Sequence, residues 1–243
     1  MIVARVGRGW RLVTQPDHAR FAGELLALWR GPEVAAHPRR GELLFAAREH
    51  DNGWREADAA PRWDAAAGRP HDFLSVPAEV RHEVWLRGTG RFAAERPYAA
   101  LLVTLHALSF LERRGEEAWD AMVGALEERR AALLEETGVA AEAAAADFRF
   151  VRFADTASLT VASNWTEAFS TEVPDGGGGL RTIRGRWDPQ AATLHLDPLP
   201  LAGATTFRLP ARHVERRDYG GDVDLAVALA SARWEEMAVR VAG

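Results

Sequence analysis

Apolar and polar residues alternate at the start of the chain: Ile2, Ala4 and Val6 are interleaved with Val3, Arg5 and Gly7, and Trp10-Arg11-Leu12-Val13-Thr14 comes after a Gly7-Arg8-Gly9 turn. A period of two on either side of a glycine turn predicts a β-hairpin. The period then changes. Thr14 stands at a capping position, Pro16 in a first turn and Asp17 where a capping-box acid belongs, so a helix is expected that carries His18, Phe21, Leu25, Leu28 and Trp29 on one stripe. Gly31-Pro32 breaks it. A second helix is expected from 41 to about 51, with Leu43, Ala46, Ala47 and His50 at i, i+3, i+4, i+7 spacing, ended by Asn52-Gly53.

Residues 54–90 read as a Pro-, Gly- and Trp-rich excursion with one short amphipathic segment, His82, Val84, Trp85 and Leu86. Three helical patterns come next. The first runs from 97 to about 114 with Leu102, Val103, His106 and Phe110 inward, ended by Gly115. The second, 116 to 136, carries Trp119, Met122, Val123, Leu126 and Leu133. The third grows out of an alanine-rich lead and carries Phe148, Val151, Asp155 and Leu159. Beyond Ser158 the texture turns to β-type segments, at 159–165, 180–187, 193–196, 205–209 and 213–219, with a flexible hairpin loop at 176–179. Asp222 caps a short helix from 223 to about 232, and the segment 234–241 reads as either strand or helix. The expectation is one domain, 1–243, mainly α with an N-terminal β-hairpin and a C-terminal antiparallel β-rich segment, α+β overall. Its helical core spans about 15–158. Its β-rich layer, 1–14 plus 159–243, either covers that core or forms a homodimer contact.

Composition narrows the chemistry. The chain lacks cysteine and lysine, and its thirty basic residues are all arginine. Disulfides, thiolate metal sites, Schiff bases and the phosphate-loop lysine are therefore excluded. A formal charge of −5 argues against general nucleic-acid binding. No long apolar run or signal-peptide pattern is visible, so a cytoplasmic protein with no membrane association is expected.

His18, the pair His50 and Asp51, His106 and Asp155 fall on or beside apolar stripes of four separate helices. A lone inward histidine is usually a satisfied core residue. Three histidines and two aspartates are hard to satisfy separately and easy to satisfy around one or two cations, drawn from Mn, Fe, Mg or Zn. His82 reads as a second-metal ligand or a surface residue. Arg69, between Gly68 and Pro70, either holds a substrate phosphate or is a solvated loop arginine. Trp54 either stacks on a base or, the preferred reading, plugs the core.

The order His18, His50-Asp51, Asp155 resembles the signature of the HD-domain metal-dependent phosphohydrolase superfamily, and Phe153-Ala154-Asp155-Thr156-Ala157-Ser158-Leu159 is similar to its last-ligand motif. The resemblance implies an HD-domain-like helical bundle in which His18, His50, Asp51 and Asp155 bind a divalent ion and His106 completes the shell or binds a second ion. Asp51 and His50 would then act in hydrolysing a small phosphorylated substrate, a phosphate ester or nucleotide. A closer resemblance, over nearly the whole chain, is to the bacterial family domain of unknown function 3891. It is carried by Gln15-Pro16-Asp17-His18, Glu49-His50-Asp51-Asn52-Gly53-Trp54, Gly68-Arg69-Pro70, Leu101-Leu102-Val103-Thr104-Leu105-His106 and Asp155 with Ser158-Leu159. Two other readings remain open: a non-catalytic metal- or ligand-binding module, and di-iron oxygenase chemistry at a His/Asp site.

Overall fold

The N-terminal hairpin forms from β1 (Ile2–Val6) and β2 (Gly9–Val13), paired antiparallel from Ile2↔Val13 to Val6↔Gly9. This is a computed structural model, and it describes residues 1–111 and 117–243. Thr14 is extended, and its side chain accepts a hydrogen bond from the Asp17 amide at 3.1 Å, which starts α1 (Gln15–Ala27). After α2 (Pro32–Ala35) comes α3 (Arg40–Glu49), which buries Leu43, Ala46 and Ala47. Gly23 lets α1 and α3 approach closely, since a Cβ there would lie 2.9 Å from the Cβ of Arg48.

The excursion has more order than its composition suggests. It contains a 3₁₀ turn (Asn52–Trp54), α4 (Arg55–Ala59), a small ribbon of β3 (Trp63–Asp64) and β4 (Arg69–Pro70), and a full helix, α5 (Ala78–Gly90). Asn52 donates to the carbonyls of Glu49 at 2.8 Å and Gly88 at 3.0 Å, tying the end of α3 to α5. Gly53 serves close approach rather than left-handed capping: a Cβ there would sit 2.1 Å from the Val84 carbonyl oxygen. The long helices α6 (Pro97–Leu111), α7 (Glu117–Thr137) and α8 (Ala141–Ala162) come next. The expected end of the first at 114 and its Gly115 stop lie outside the described residues. Among the described residues no helix is long and apolar enough to cross a membrane.

The expectation of a mainly α, HD-domain-like bundle is overturned by the chain beyond α8. Strands β5 (Phe169–Pro174), β6 (Leu180–Asp188), β7 (Thr193–Asp197) and β8 (Thr205–Glu215), then α9 (Asp222–Ser231) and β9 (Trp234–Ala242), bring the N-terminal hairpin into one seven-stranded sheet. Its order is β1-β2-β8-β9-β7-β6-β5. The sheet is mixed rather than antiparallel, because β7 and β9 run parallel. The fold is therefore α+β around a large sheet. The N-terminal hairpin joins the later strands because β2 pairs with β8, from Gly9↔Glu215 to Leu12↔Arg212, a register that no local pattern encodes.

Several boundaries move with it. The strand expected at 159–165 is instead the last turn of α8, where the β-branched Thr160 and Val161 are buried in a helix. Arg11 on β2, itself buried, donates to the Val161 and Ala162 carbonyls at 3.0 and 3.1 Å and so caps that turn. The segments expected at 205–209 and 213–219 form one strand through Pro210. Asp222 accepts from the Trp63 amide at 2.6 Å instead of capping α9. One core serves both layers: Phe21 meets Phe207 at 5.2 Å between ring centroids, and Trp29 meets Phe150 and Phe153 of α8 at 5.3 and 5.4 Å.

Candidate metal centre

Four helical elements deliver their polar residues to one point. His18 comes from the first turns of α1, His50 and Asp51 from the end of α3, His106 from α6 and Asp155 from α8; none is more than 6% exposed. His18 Nε2 lies 2.9 Å from Asp51 Oδ2, and His50 Nε2 lies 3.2 Å from Asp155 Oδ1 and 3.6 Å from Asp51 Oδ2. His106 Nε2 is 3.5 Å from Asp51 Oδ1. The His50 ring stands edge-on to both other imidazoles, 4.9 Å from His18 and 4.6 Å from His106.

Hydrogen bonds behind the rings decide which nitrogens face inward. The Ser158 hydroxyl donates to the Asp155 carbonyl at 3.0 Å, which leaves its oxygen to accept from His18 Nδ1 at 3.0 Å. His50 Nδ1 donates to the Ala47 carbonyl at 2.8 Å. In the neutral rings both Nε2 atoms then carry lone pairs directed at carboxylate oxygens, an arrangement of acceptor against acceptor. Nε2 of His50 and Nε2 of His106 are buried without a hydrogen-bond partner. Such a contact holds only if a proton or a cation lies between.

The proton alternative shows in the acidities. Burial alone would lower the pKa of His50, but the charges of Asp51 and Asp155 reverse this and raise it to about 9. Burial pushes Asp51 upward, and His50 with the other two imidazoles outweighs it, holding that carboxyl well below the usual range. Asp155 is lowered by the same balance, chiefly through His50.

The cation alternative satisfies the same atoms. His18, His50 and Asp51 form one trio, and His50, His106 and Asp155 another, each with ligand atoms within 4.8 Å of one another. Donors about 2.0–2.2 Å from an ion are spaced roughly 3.0–3.5 Å apart in tetrahedral or octahedral shells. The observed His–Asp separations run from 2.9 to 3.9 Å, most of them within or close to that range. Two carboxylates and three neutral imidazoles also balance the charge of a divalent ion. The donor set therefore fits a metal, and the trios share the single inward nitrogen of His50, which one ion would occupy.

A small cavity of about 40 Å³ opens onto Asp51 and Asp155. Trp54, Phe73, Trp85, Phe110 and Trp119 line it, together with Gln15 and Arg81. Trp54 packs on Val76 and Val84 and also forms part of this wall. Arg69 is elsewhere: its guanidinium pairs with Asp72 at 3.2 Å, and it does not line the pocket. His82 is half-buried, edge-on to Trp119 at 4.6 Å, and belongs to neither trio. Sequence reasoning gave no role to Arg81, read Phe110 and Trp119 only as inward stripe residues, and treated Gln15 and Ser158 as motif positions only. The signal for Ser158 was its i+3 spacing from Asp155, which places both on one face of α8.

Fold and site together define an α+β protein with a buried His/Asp centre beneath an aromatic pocket. Residues 1–216 match the family described as Protein of unknown function (DUF3891), and the chain belongs to that family. No curated protein and no solved structure matches the chain.

Proposed function

We propose that the chain is a divalent-metal-dependent hydrolase acting on a phosphate ester or nucleotide. The observation that carries this reading is the meeting of three buried imidazoles and two buried carboxylates, with Nε2 of His50 and of His106 left without partners. The choice of phosphate rests on the order of these residues, which resembles that of HD-domain phosphohydrolases; the helical-bundle fold is not shared.

His18, His50, Asp51 and Asp155 would hold the ion, and His106 would complete the set. A divalent ion held there would supply Lewis-acid polarisation of a phosphoryl oxygen and a water of near-neutral pKa. Ser158 and the Ala47 carbonyl hold the two rings with Nε2 inward. Asp51, ionised at neutral pH and open to the pocket, orients the water and accepts its proton. The water oxygen would bond to phosphorus as the ester P–O bond breaks, and the water proton taken up by Asp51 would pass on to the leaving oxygen. Aromatic walls exclude bulk water, which strengthens each charge interaction within.

The test is to strip the protein of metal, reload it with Mn, Fe, Mg or Zn, and screen phosphomonoesters and nucleotides. Turnover with at least one ion supports the reading. Folded, metal-loaded protein without turnover points to a binding module instead. Two irons per chain with an oxo-bridge absorption band would point to oxygenase chemistry.

A further inference from the structure

One polar atom beside the metal centre is used neither by the fold nor by the donor set. Gln15 opens α1 and is only 2% exposed. Its backbone is fixed, because its amide donates to Asp58 at 2.6 Å and the preceding Thr14 caps the helix. Its side-chain Oε1, by contrast, is buried with no hydrogen-bond partner among the described residues. A buried acceptor left without a donor costs about 1–3 kcal/mol, so a donor from outside the chain belongs there. Sequence position shows where that donor sits. Gln15 precedes His18 by three residues, which puts both on one face of α1, and it lines the small cavity that opens onto Asp51 and Asp155.

The cavity's size and chemistry select the donor. Its volume of about 40 Å³ exceeds the roughly 10–15 Å³ that one water needs, and it is too small for a phosphate ester or an aromatic ring. On its wall Gln15 Oε1 and the carboxylates of Asp51 and Asp155 present acceptors. A water brings two O–H donors, so it can bond to Gln15 and to one carboxylate together, and these supply the polar partners that a buried water requires. With both protons so engaged, its lone pairs point away from those two oxygens. A nucleophilic water needs that orientation: one proton directed at the base that takes it, and a lone pair free for phosphorus.

We infer that Gln15 and Asp51 hold an ordered water in this cavity, and that Gln15 is the residue that aims it as the nucleophile. The water site stands on the burial of Gln15 and on the cavity alone; its nucleophilic role rests on the hydrolase reading above. In that role the water oxygen would form the new bond to phosphorus and yield one proton to Asp51, while Gln15 keeps the other. The ester does not fit beside the water, so the nucleophile is in place before substrate parts the cavity wall.

The first measurement needs neither metal nor substrate: crystal structures of the metal-free full chain as wild type, Gln15→Met and Gln15→Glu. Water density within about 3.2 Å of Gln15 Oε1 and of an Asp51 oxygen is expected in the wild type. Gln15→Met, which fills a similar volume without an acceptor, is expected to lose that water, and Gln15→Glu, which keeps an oxygen at the same reach, to retain it. In metal-loaded protein that turns over a phosphomonoester, Q15M is expected to lower kcat ~10–100-fold while KM and the metal Kd move less than about twofold, a split that a purely structural role would not give. Wild-type structures without the water, a water that Q15M keeps, or a fall in kcat matched by an equal loss of metal affinity would overturn the inference. Should Q15M not fold, Gln15→Leu replaces it, and failure of both makes the side chain structural and overturns the inference as well. A Gln15-dependent water in a protein that turns over nothing with any ion leaves the water site standing and removes the hydrolase together with the nucleophilic role. Turnover that Q15M leaves at the wild-type level keeps the hydrolase and overturns the role of Gln15.

Discussion

Loading the centre with a divalent ion should displace a proton from His50, and the structure gives the size of the effect. In the metal-free protein His50 titrates at about 9, because two buried carboxylates outweigh the burial that would otherwise lower it. At pH 7.5 nearly every molecule is protonated there. A ligating imidazole must be neutral, so binding releases about one proton, and apparent affinity climbs about tenfold per pH unit until it levels off near pH 9. Calorimetric titration with Zn or Mn at one pH, in two buffers of different ionisation enthalpy, counts the proton directly. About one is expected at pH 7.5 and close to none well above pH 9. Undiminished binding with no proton released at pH 7.5 would mean that Nε2 of His50 is not where the ion sits. The same linkage governs stability. His50 has a folded pKa above its ordinary 6.5, so its contribution is complete below about 6.5 and is lost as pH rises through about 9. That contribution is roughly 3 kcal/mol, since each tenfold change in proton affinity is worth about 1.4 kcal/mol. Metal-free protein should thus lose Tm between pH 6.5 and 9 while metal-loaded protein does not.

Three substitutions probe other parts of the argument. Asp155→Asn removes one of two carboxylates facing His50 and should weaken metal binding by about a hundredfold or more, read by competition with a chromophoric chelator. It should also bring the metal-free His50 pKa down, visible by NMR. Ser158→Ala frees the His18 ring to adopt either tautomer and should cost ~10–100-fold in metal affinity with an unchanged circular dichroism spectrum, whereas Ser158→Thr retains most of it. Gly53→Ala drives a Cβ to within 2.1 Å of the Val84 carbonyl and should destabilise the protein by about 1–3 kcal/mol in thermal or urea unfolding. An unchanged midpoint would show that α5 moves freely relative to the turn after Asp51.

Much of the helical layer was legible because its signals are local. Thr14, Pro16 and Asp17 do mark the start of α1, and the stripes of α3, α6 and α8 do carry His50, His106 and Asp155 inward. The polar residues on those stripes stood out for an energetic reason: burying a carboxylate is expensive, so an aspartate among Val151 and Phe148 demands a partner. The pocket wall carried no such flag. Trp85, Phe110 and Trp119 are aromatic residues on apolar stripes, and periodicity cannot distinguish a ring that fills a core from one that faces a cavity. The orphaned oxygen of Gln15 is likewise visible only once its neighbours are in place.

The misread end of α8 shows why a helical core and a β layer could not be separated by sequence. Thr160-Val161 has strand-like composition, yet it lies on a helix whose last carbonyls need donors. Backbone amides after the helix supply some, and Arg11, from a strand 150 residues earlier in the chain, supplies the Val161 and Ala162 carbonyls with side-chain donors, with β2 held against β8. The same helix inserts Phe150 and Phe153 against Trp29 and presents Asp155 and Ser158 to the metal centre. Sheet register therefore fixes the end of α8, and the end of α8 fixes its rotation. That rotation decides whether Asp155 faces His50. Removing the cap with Arg11→Met should accordingly reach the centre: it is expected to weaken metal binding several-fold although Arg11 touches none of the five His and Asp residues. A melting midpoint that falls while metal affinity stays the same would separate the cap from the site and refute that coupling.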